Sequence, residues 1–274
     1  MRKPMLRTRI LTATVLGCLL LAGLFLLSPP WTVLAFGAVF TIGAWEWAAF
    51  GALRGTATRF VYAAGIALLL GAAWRWTAAP AHLLLLLAVA CAWWAIALLW
   101  LSLAPARHYP ALVLACGLPV LVPAFIALAR LQVATRGFAR GPLLVLWLLL
   151  LVIAADVGAY FAGRGLGRRK LAPRVSPGKT LEGALGGLLL VALVAWYGAV
   201  HFGLSSAKAV IFGCAVGIFS IIGDLTESMF KRSAGLKDSG TLLPGHGGLL
   251  DRIDSVTAAA PLYALGLFGS GVIV

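Results

Sequence analysis

Long apolar stretches dominate this sequence and constrain its fold more than any other feature. About 20 apolar residues allow a helix to cross the hydrocarbon core of a bilayer, and nine such stretches follow one another along the 274 residues. Because lipid cannot satisfy exposed backbone polar groups, each stretch must form a helix. The sequence therefore predicts an all-α, polytopic integral membrane helix bundle with about nine transmembrane helices. The predicted spans are residues 10–28, 31–50, 59–74, 81–104, 111–129, 142–162, 182–202, 206–226 and 254–273.

The composition excludes several other classes of protein. Only 11% of the residues are charged, whereas a soluble domain carries roughly 25%. Four cysteines stand singly inside apolar runs, so they offer neither a disulfide framework nor a zinc-binding spacing. A nucleic-acid binder would present a basic face on a soluble fold. We expect no nucleic-acid partner, and we expect lipid headgroups and phosphates to be the negatively charged partners.

The distribution of basic residues predicts how the chain is oriented. With nine spans and a cytoplasmic N-terminus, 17 of the 22 lysines and arginines fall on the cytoplasmic side and five fall outside. This asymmetry agrees with the positive-inside rule. We expect a bacterial-type inner (cytoplasmic) membrane protein whose two long basic loops, 163–181 and 227–253, both face the cytoplasm.

The acidic residues divide the chain into two regions. Residues 1–140 form an N-terminal set of hydrophobic helices whose only acid is Glu46, which we interpret as structural. The other seven acids lie in residues 141–274, which we interpret as the C-terminal catalytic region. Among them, Asp156 lies within the sixth predicted span and either pairs with a basic residue or belongs to the polar site. Carboxylates inside a membrane are costly and are usually functional.

A polar stripe marks the end of the eighth span. Asp224, Glu227, Ser228 and Lys231 follow the spacing i, i+3, i+4, i+7, which places them on one face of a helix. A solvated helix end at the membrane interface would show the same pattern. Asp224 favours a functional site instead, because a carboxylate at this depth is costly.

A loop rich in glycine separates this stripe from the last span. Residues 237–250 contain Pro244 and four glycines, so they should leave backbone amides free to approach an anion. Asp251 and Asp254 follow one helical turn apart, a position where acids can also simply complement the helix dipole. With Asp224 they make three acids near one membrane face, which we interpret as ligands for Mg²⁺, a cation commonly held by one or two carboxylates and substrate phosphates. The surrounding cations are Lys231, Arg232, Lys237 and Arg252.

Two further features of the loops concern phosphate binding. His246 has no His or Cys partner at a metal-binding spacing, so we expect it to contact phosphate or the loop itself. In the other basic loop, Gly178-Lys179-Thr180 is not a P-loop, because Pro173 occupies the place of the required first glycine. We expect Ser176 to cap a helix that begins at Pro177 and Lys179 to face an anion. General attraction of anionic lipids explains a basic loop equally well.

The run from Ser228 to Asp254 resembles the signature of the phosphatidate cytidylyltransferase family, also called CDP-diacylglycerol synthases. The matching residues are Ser228, Phe230, Lys231, Arg232, Lys237, Asp238, Pro244, His246, Gly247, Gly248, Asp251, Arg252, Ile253 and Asp254. The resemblance continues upstream through Gly223-Asp224 and the segment Ser176–Gly183 to Asp156, so it covers roughly residues 150–260.

The resemblance implies an activity and its participants. It implies a Mg²⁺-dependent nucleotidyltransferase, usually a homodimer, that joins CTP to phosphatidic acid and releases CDP-diacylglycerol and pyrophosphate in phospholipid biosynthesis. The implied metal ligands are Asp224 and Asp251, with Asp254 nearby. The implied catalytic residues are Asp224, Ser228, Lys231 and Asp251, and the implied substrate-binding residues are Ser176, Lys179, Arg232, Lys237, His246 and Arg252.

Two other functions remain compatible with the sequence. A CTP-dependent polyprenol or phytol kinase needs the same nucleotide, metal and membrane, but it transfers the γ-phosphoryl group to an alcohol. A membrane transporter would also place acids in helices, although it would distribute polar residues through the bilayer instead of gathering them at one face.

Overall fold

A computed structural model describes residues 3–103, 109–134, 141–202, 205–245 and 247–269. Within these residues lie nine α-helices, each of which coincides with one of the predicted apolar stretches. They are α1 (Lys3–Phe25), α2 (Pro29–Phe50), α3 (Thr56–Trp76), α4 (Pro80–Leu103), α5 (Pro110–Val133), α6 (Gly141–Leu166), α7 (Leu181–Phe202), α8 (Ser206–Ser233) and α9 (Asp254–Gly269). The prediction of an all-α helix bundle is confirmed.

Seven of these helices, α2 to α8, are long and apolar enough to cross a membrane. The shortest candidate segment has 20 residues, which corresponds to about 30 Å of helix, the thickness of the hydrocarbon core. The apolar part of α1, Leu11–Phe25, and the 16-residue α9 are shorter. The chain is therefore a polytopic membrane protein, with seven spans that meet the length criterion among the described residues.

Helix α9 lies inside the bundle, where it packs against α4, α5, α6 and α8. Its contact with α8 is close because Gly223 has no side chain: a Cβ at that position would lie 2.7 Å from the carbonyl oxygen of Asp254 and 2.9 Å from Ala258 Cβ. This packing places the start of α9 beside Asp224, the first residue of the polar stripe on α8.

Helices α6 and α7 approach each other through glycines. A Cβ on Gly158 would lie 2.6 Å from the carbonyl oxygen of Gly186, and a Cβ on Gly187 would lie 2.5 Å from that of Ala155. Small residues permit this close packing of helices inside a membrane. The contact holds Asp156, on α6, beside the segment that leads into α7.

A short β-hairpin precedes α7, where the sequence predicted a helix start. Strands β1 (Lys170–Ala172) and β2 (Ser176–Thr180) are antiparallel, and Lys170 is paired with Thr180. The prediction that Ser176 caps a helix beginning at Pro177 is therefore wrong. Pro177 is compatible with a two-stranded ribbon, in which every strand is an edge strand.

Thr180 provides the cap that Ser176 was expected to provide. Its Oγ1 accepts a hydrogen bond from the backbone N–H of Gly183 at 3.1 Å, so α7 begins at Leu181. Glu182 in the first turn accepts hydrogen bonds from the backbone N–H groups of Arg168 and Arg169 at 3.0 and 3.1 Å. These bonds fold the preceding segment back onto the helix and close the hairpin.

The segment between α8 and α9 is irregular over the residues described, as its glycines and Pro244 predict. It contains an isolated antiparallel bridge between Leu243 and Gly247, and it ends in a single 3₁₀ turn, Leu250–Arg252. Asp251 therefore belongs to this turn, and α9 begins at Asp254. We call residues 237–251 the active-site loop, because the sequence predicts metal and phosphate contacts for it.

Candidate active site

The polar stripe on α8 is embedded in the protein. Glu227 is 3% exposed and Lys231 is 7% exposed, while Asp224 and Ser228 are partly buried. A solvated helix end would leave these side chains in water. The stripe therefore faces other polar groups of the protein, which come from the hairpin and from the active-site loop.

Lys231 contacts two carboxylates, one on its own helix and one in the active-site loop. Its Nζ lies 2.6 Å from Oδ1 of Asp251 and 3.1 Å from Oε1 of Glu227. Neither oxygen of Glu227 accepts a hydrogen bond of good geometry within the described structure, so its contact with Lys231 is an ion pair only. The ammonium group is thus fixed between two buried carboxylates.

The second oxygen of Asp251 organises the loop itself. Oδ2 accepts the backbone N–H groups of Ser239 and Gly248, each at 2.9 Å. Burial by itself raises the pKa of the Asp251 carboxyl, but the Lys231 ammonium and these two N–H groups outweigh it, so the pKa lies below its ordinary value. Asp251 is held in its ionised form with both oxygens engaged.

Asp224 joins α8 to the hairpin. It forms an ion pair with Lys179 of β2, and Oδ1 accepts the hydroxyl of Ser228 at 3.3 Å. The side chains of Lys179 and Asp224 remain 30% and 23% exposed. The pair therefore stays accessible to a ligand, in contrast to Lys231 and Glu227.

Two further acids lie close enough to Asp224 to interact with it electrostatically. One is Asp156 of α6 and the other is Asp254 at the start of α9. Arg252 interacts with Asp156 in the same way. With Glu227 and Asp251, five carboxylates from four segments of the chain gather at one end of the bundle.

A cavity of about 540 Å³ opens between α6, the hairpin, α7 and α8. Its polar lining consists of Asp156, Tyr160, Arg164, Lys179 and Thr180, and the rest is mainly alanine, glycine and isoleucine. Small-molecule sites usually have volumes of about 300–1,000 Å³. The cavity is thus large enough for part of a nucleotide or a lipid headgroup, and Lys179 connects it with Asp224.

The other sequence-predicted site residues lie further out. Arg232 is exposed, and its Nη1 donates to the carbonyl oxygen of Leu236 at 3.4 Å. Lys237 is exposed, and in the described part of the chain neither of these cations forms an ion pair. Ser176 begins β2, opposite Ala172. His246 lies outside the described residues.

One contributor to the site comes from the helices that the sequence presents as chemically quiet. Glu46 of α2 is 4% exposed and accepts hydrogen bonds from three groups of the active-site loop. Its place between Trp45 and Trp47, near the end of the second predicted span, favours a structural interpretation. One feature of the sequence indicated a role in the site: Glu46 is the only acid in the first 155 residues.

Comparison with known proteins assigns the chain to a family. A profile of the cytidylyltransferase family matches residues 7–268. A phosphatidate cytidylyltransferase from Haemophilus influenzae is 41% identical over 285 residues, covering 95% of this chain and 98% of the relative. One from Pseudomonas aeruginosa is 42% identical over 279 residues, covering 97% and 98%. A relative of the same name from Synechocystis is 48% identical over 131 residues, covering 46% of this chain and 44% of its own. The chain therefore belongs to the cytidylyltransferase family.

Proposed function

We propose that this protein is a phosphatidate cytidylyltransferase. In this reaction a phosphate oxygen of phosphatidic acid attacks the α-phosphorus of CTP. The new bond forms CDP-diacylglycerol, and the bond between the α-phosphorus and the oxygen bridging to the β-phosphorus breaks to release pyrophosphate. The near full-length similarity to proteins of that name supports this choice of substrates.

The observation that carries the proposal is the ion pair between Lys179 and Asp224 at the wall of the cavity. The pair is partly exposed and joins two different segments. Asp254 interacts electrostatically both with this pair and with Lys231 of the more deeply buried contact between Lys231 and Asp251. A reaction between a lipid phosphate and a nucleotide needs such a charged, partly dehydrated site at the end of the membrane helices.

The protein groups act by position and charge, because phosphoryl-type transfer requires little covalent participation by the enzyme. We assign Lys179, which faces the cavity, to neutralising phosphate oxygens. Ser228 fixes the orientation of the Asp224 carboxylate through its hydroxyl. Lys231 is assigned to holding Asp251 and Glu227, since its ammonium contacts both. Ser176, Arg232, Lys237, His246 and Arg252 remain predicted substrate contacts.

The carboxylates fit a requirement for Mg²⁺. Asp156, Asp224, Glu227, Asp251 and Asp254 interact with three cations, Lys179, Lys231 and Arg252, so the carboxylates exceed the cations by two. The described residues contain no group of three or more His, Cys, Asp or Glu side chains arranged to hold a metal. Magnesium does not need such a group, because one or two carboxylates and substrate phosphates suffice.

We assign Asp224 as the principal metal ligand, with Asp254 beside it and Asp251 as the second predicted ligand. Asp224 is the most accessible of these for a metal carried in with a nucleotide, whereas both oxygens of Asp251 already have partners. A bound Mg²⁺ would supply positive charge for the phosphates and polarise the phosphorus under attack.

We also propose that the site faces the cytoplasm, within the inner membrane, and that the protein forms a homodimer. The orientation is supported by the 17 to 5 distribution of basic residues. It is also supported by a hydrogen bond from Thr12 Oγ1 to the carbonyl oxygen of Pro244 at 3.3 Å, which places the early part of α1 at the same end as the active-site loop. The homodimer is supported by the family resemblance alone.

The test uses CTP labelled with tritium in cytidine and with radioactive phosphorus at the γ-phosphate. Purified protein in mixed micelles receives Mg²⁺, this CTP and either phosphatidic acid or a polyprenol. We expect tritium in the lipid phase with phosphatidic acid and radioactive phosphorus in pyrophosphate. An Asp224→Asn variant purified in parallel is the control for contaminating activity.

The alternatives give different results in the same assay. Radioactive phosphorus in the lipid without tritium identifies a CTP-dependent kinase. No transfer of either label to any lipid contradicts the proposal, and solute flux into liposomes without nucleotide then tests the transporter alternative.

A further inference from the structure

The buried carboxylate of Glu46 and the carboxylate of Asp251 hold the active-site loop between them. Oε1 of Glu46 accepts the backbone N–H of Leu249 at 3.0 Å, and Oε2 accepts the backbone N–H of Leu250 at 2.7 Å. Oε2 also accepts the hydroxyl of Ser239 at 3.0 Å. These partners lie 193 to 204 positions away in the chain, so α2 is bound directly to the loop.

The loop also donates hydrogen bonds to Asp251, from Ser239 and from the residue before Leu249. Ser239 donates its hydroxyl to Glu46 and its backbone N–H to Asp251. Gly248 donates its N–H to Asp251, and the next two N–H groups along the chain turn to Glu46. The two N–H groups that fix Oδ2 of Asp251 therefore belong to a residue that Glu46 binds, Ser239, and to the residue directly before two that it binds, Gly248.

The glycines of the loop fit this arrangement. A Cβ on Gly240 would overlap the Glu46 carboxylate, and a Cβ on Gly248 would lie 2.6 Å from Oε2 of Glu46. The absence of side chains at these two positions lets the loop backbone reach a carboxylate buried in the helix bundle. Because a buried acceptor without partners is costly, the three donors also keep Glu46 compatible with its position.

We infer that Glu46 is a positioning residue for catalysis, which sets the place of Asp251 by anchoring the active-site loop to α2. This inference rests on the proposed function. Asp251 in turn holds Lys231, so a displaced loop would disturb both members of that pair. Displacement of a catalytic group by about 1 Å can lower a rate by roughly a hundredfold.

The first variant is Glu46→Gln, which keeps the shape of the side chain. Its –NH₂ group must replace either Oε1 or Oε2, and each of these oxygens faces a backbone N–H that cannot reverse its direction. The –NH₂ group of the glutamine would therefore face the backbone N–H of Leu249 or Leu250, and two donors would oppose each other. We expect kcat and kcat/KM to fall together by about 10- to 100-fold for folded enzyme, with the KM for CTP changed less than about threefold, as for an interaction realised in the transition state.

The second variant, Ser239→Ala, removes one donor to Glu46 and leaves the backbone N–H that binds Asp251. It should fold, and we expect its kcat to fall by less than that of Glu46→Gln.

The matched control is Gln132→Leu, which removes another buried polar contact between helices, from Gln132 Nε2 to the carbonyl oxygen of Leu24 at 3.1 Å. We expect the kcat of this control to equal that of the wild type.

Hydrogen exchange measured by mass spectrometry separates positioning from general stability. In Glu46→Gln, amides of residues 239–250 should exchange at least tenfold faster, while those of α5 and α7 should keep wild-type rates.

Folded Glu46→Gln with wild-type kcat overturns the inference, as does faster exchange spread evenly over the bundle. If Glu46→Gln does not fold, wild-type kcat and exchange in Ser239→Ala overturn it. If the wild-type protein forms no CDP-diacylglycerol, the proposed function fails, and the exchange result still decides whether Glu46 anchors the loop.

Discussion

The ammonium of Lys231 lies 2.6 Å from Oδ1 of Asp251, although 20 positions separate the two residues in the chain. The contact joins the last turn of α8 to the 3₁₀ turn before α9, and it is only about 8–9% exposed. Because Glu227 contacts the same ammonium, removal of Lys231 would leave two buried carboxylates without their cation.

Lys231→Ala should therefore be both unstable and inactive. Breaking a buried ion pair by removing one partner costs about 3–5 kcal/mol. We expect turnover of the remaining folded protein to fall by roughly two orders of magnitude, the scale of misplacing a catalytic group, because Asp251 loses the ammonium that holds it. Thermal unfolding in detergent and initial rates per folded protein would measure the two effects.

The matched control for Lys231 is the double variant Arg168→Gln/Arg169→Gln. Both side chains are exposed, and the hydrogen bonds of these residues to Glu182 come from their backbone N–H groups, which the substitutions keep. We expect at most a several-fold change in activity, and less at high salt, because each arginine contributes about 1 kcal/mol to attraction of an anionic membrane. A mild, salt-sensitive effect of Lys231→Ala would instead mean that the stripe is not part of the site.

Asp224→Asn should reduce the dependence on Mg²⁺ to a residual, low-affinity response. The substitution keeps the size of the side chain but removes the carboxylate that pairs with Lys179 and accepts the Ser228 hydroxyl. We expect activity at least 100-fold below wild type at low millimolar Mg²⁺, with partial recovery as Mg²⁺ is raised. Titrating Mg²⁺ at fixed CTP measures this, and an unchanged half-activating concentration with wild-type turnover would exclude Asp224 as a ligand.

Acid should remove the stability that Asp251 provides. Its pKa is lower in the folded protein than its ordinary value of 3.8, because Lys231 and two N–H groups outweigh the effect of burial. A carboxyl of this kind contributes fully above its unfolded pKa, and the contribution is lost as pH falls through the lower, folded pKa. The gap in unfolding temperature between the wild type and Asp251→Asn should thus shrink below about pH 4. A constant gap from pH 6 to pH 2.5 would show that this carboxyl is not linked to folding.

Cysteine labelling tests the orientation. The native cysteines Cys18, Cys91, Cys116 and Cys214 are first replaced by alanine, and single cysteines are introduced at Gly165, before the hairpin, and at Thr241, in the active-site loop. Thr241 is chosen instead of the neighbouring Gly240, because a Cβ at position 240 would overlap the Glu46 carboxylate. Both introduced cysteines should react with an impermeant maleimide only in inverted vesicles. Labelling of either position in intact spheroplasts would reverse the proposed topology.

Hydropathy and local spacing predicted the helices and the polar stripe. Seven of the apolar runs are long enough to cross a membrane and therefore require a helix in lipid, whatever their neighbours are. The two shorter ones are helical as well, so the nine helices of the described residues appear where the sequence indicates them. In the same way, the spacing of Asp224, Glu227, Ser228 and Lys231 places them on one face of any helix that contains them. These are properties of a short piece of chain.

Contacts between distant segments could not be predicted in this way. Ser176 has the local character of a helix cap, but the hydrogen bonds between Glu182 and the backbone of Arg168 and Arg169 fold that segment into a hairpin, and Thr180 takes over the cap. The local preference of Ser176 was outweighed by contacts formed 13 and 14 positions apart.

Glu46 gives the clearest division between the two kinds of information. The sequence by itself determined that a single acid lies near one end of the second apolar helix, and that such an acid needs polar partners. Only the tertiary structure decided that these partners are Ser239, Leu249 and Leu250. The physical reason is that a buried carboxylate takes whichever donors the packing of helices brings to it, and hydropathy and periodicity contain no information about which distant segment that will be.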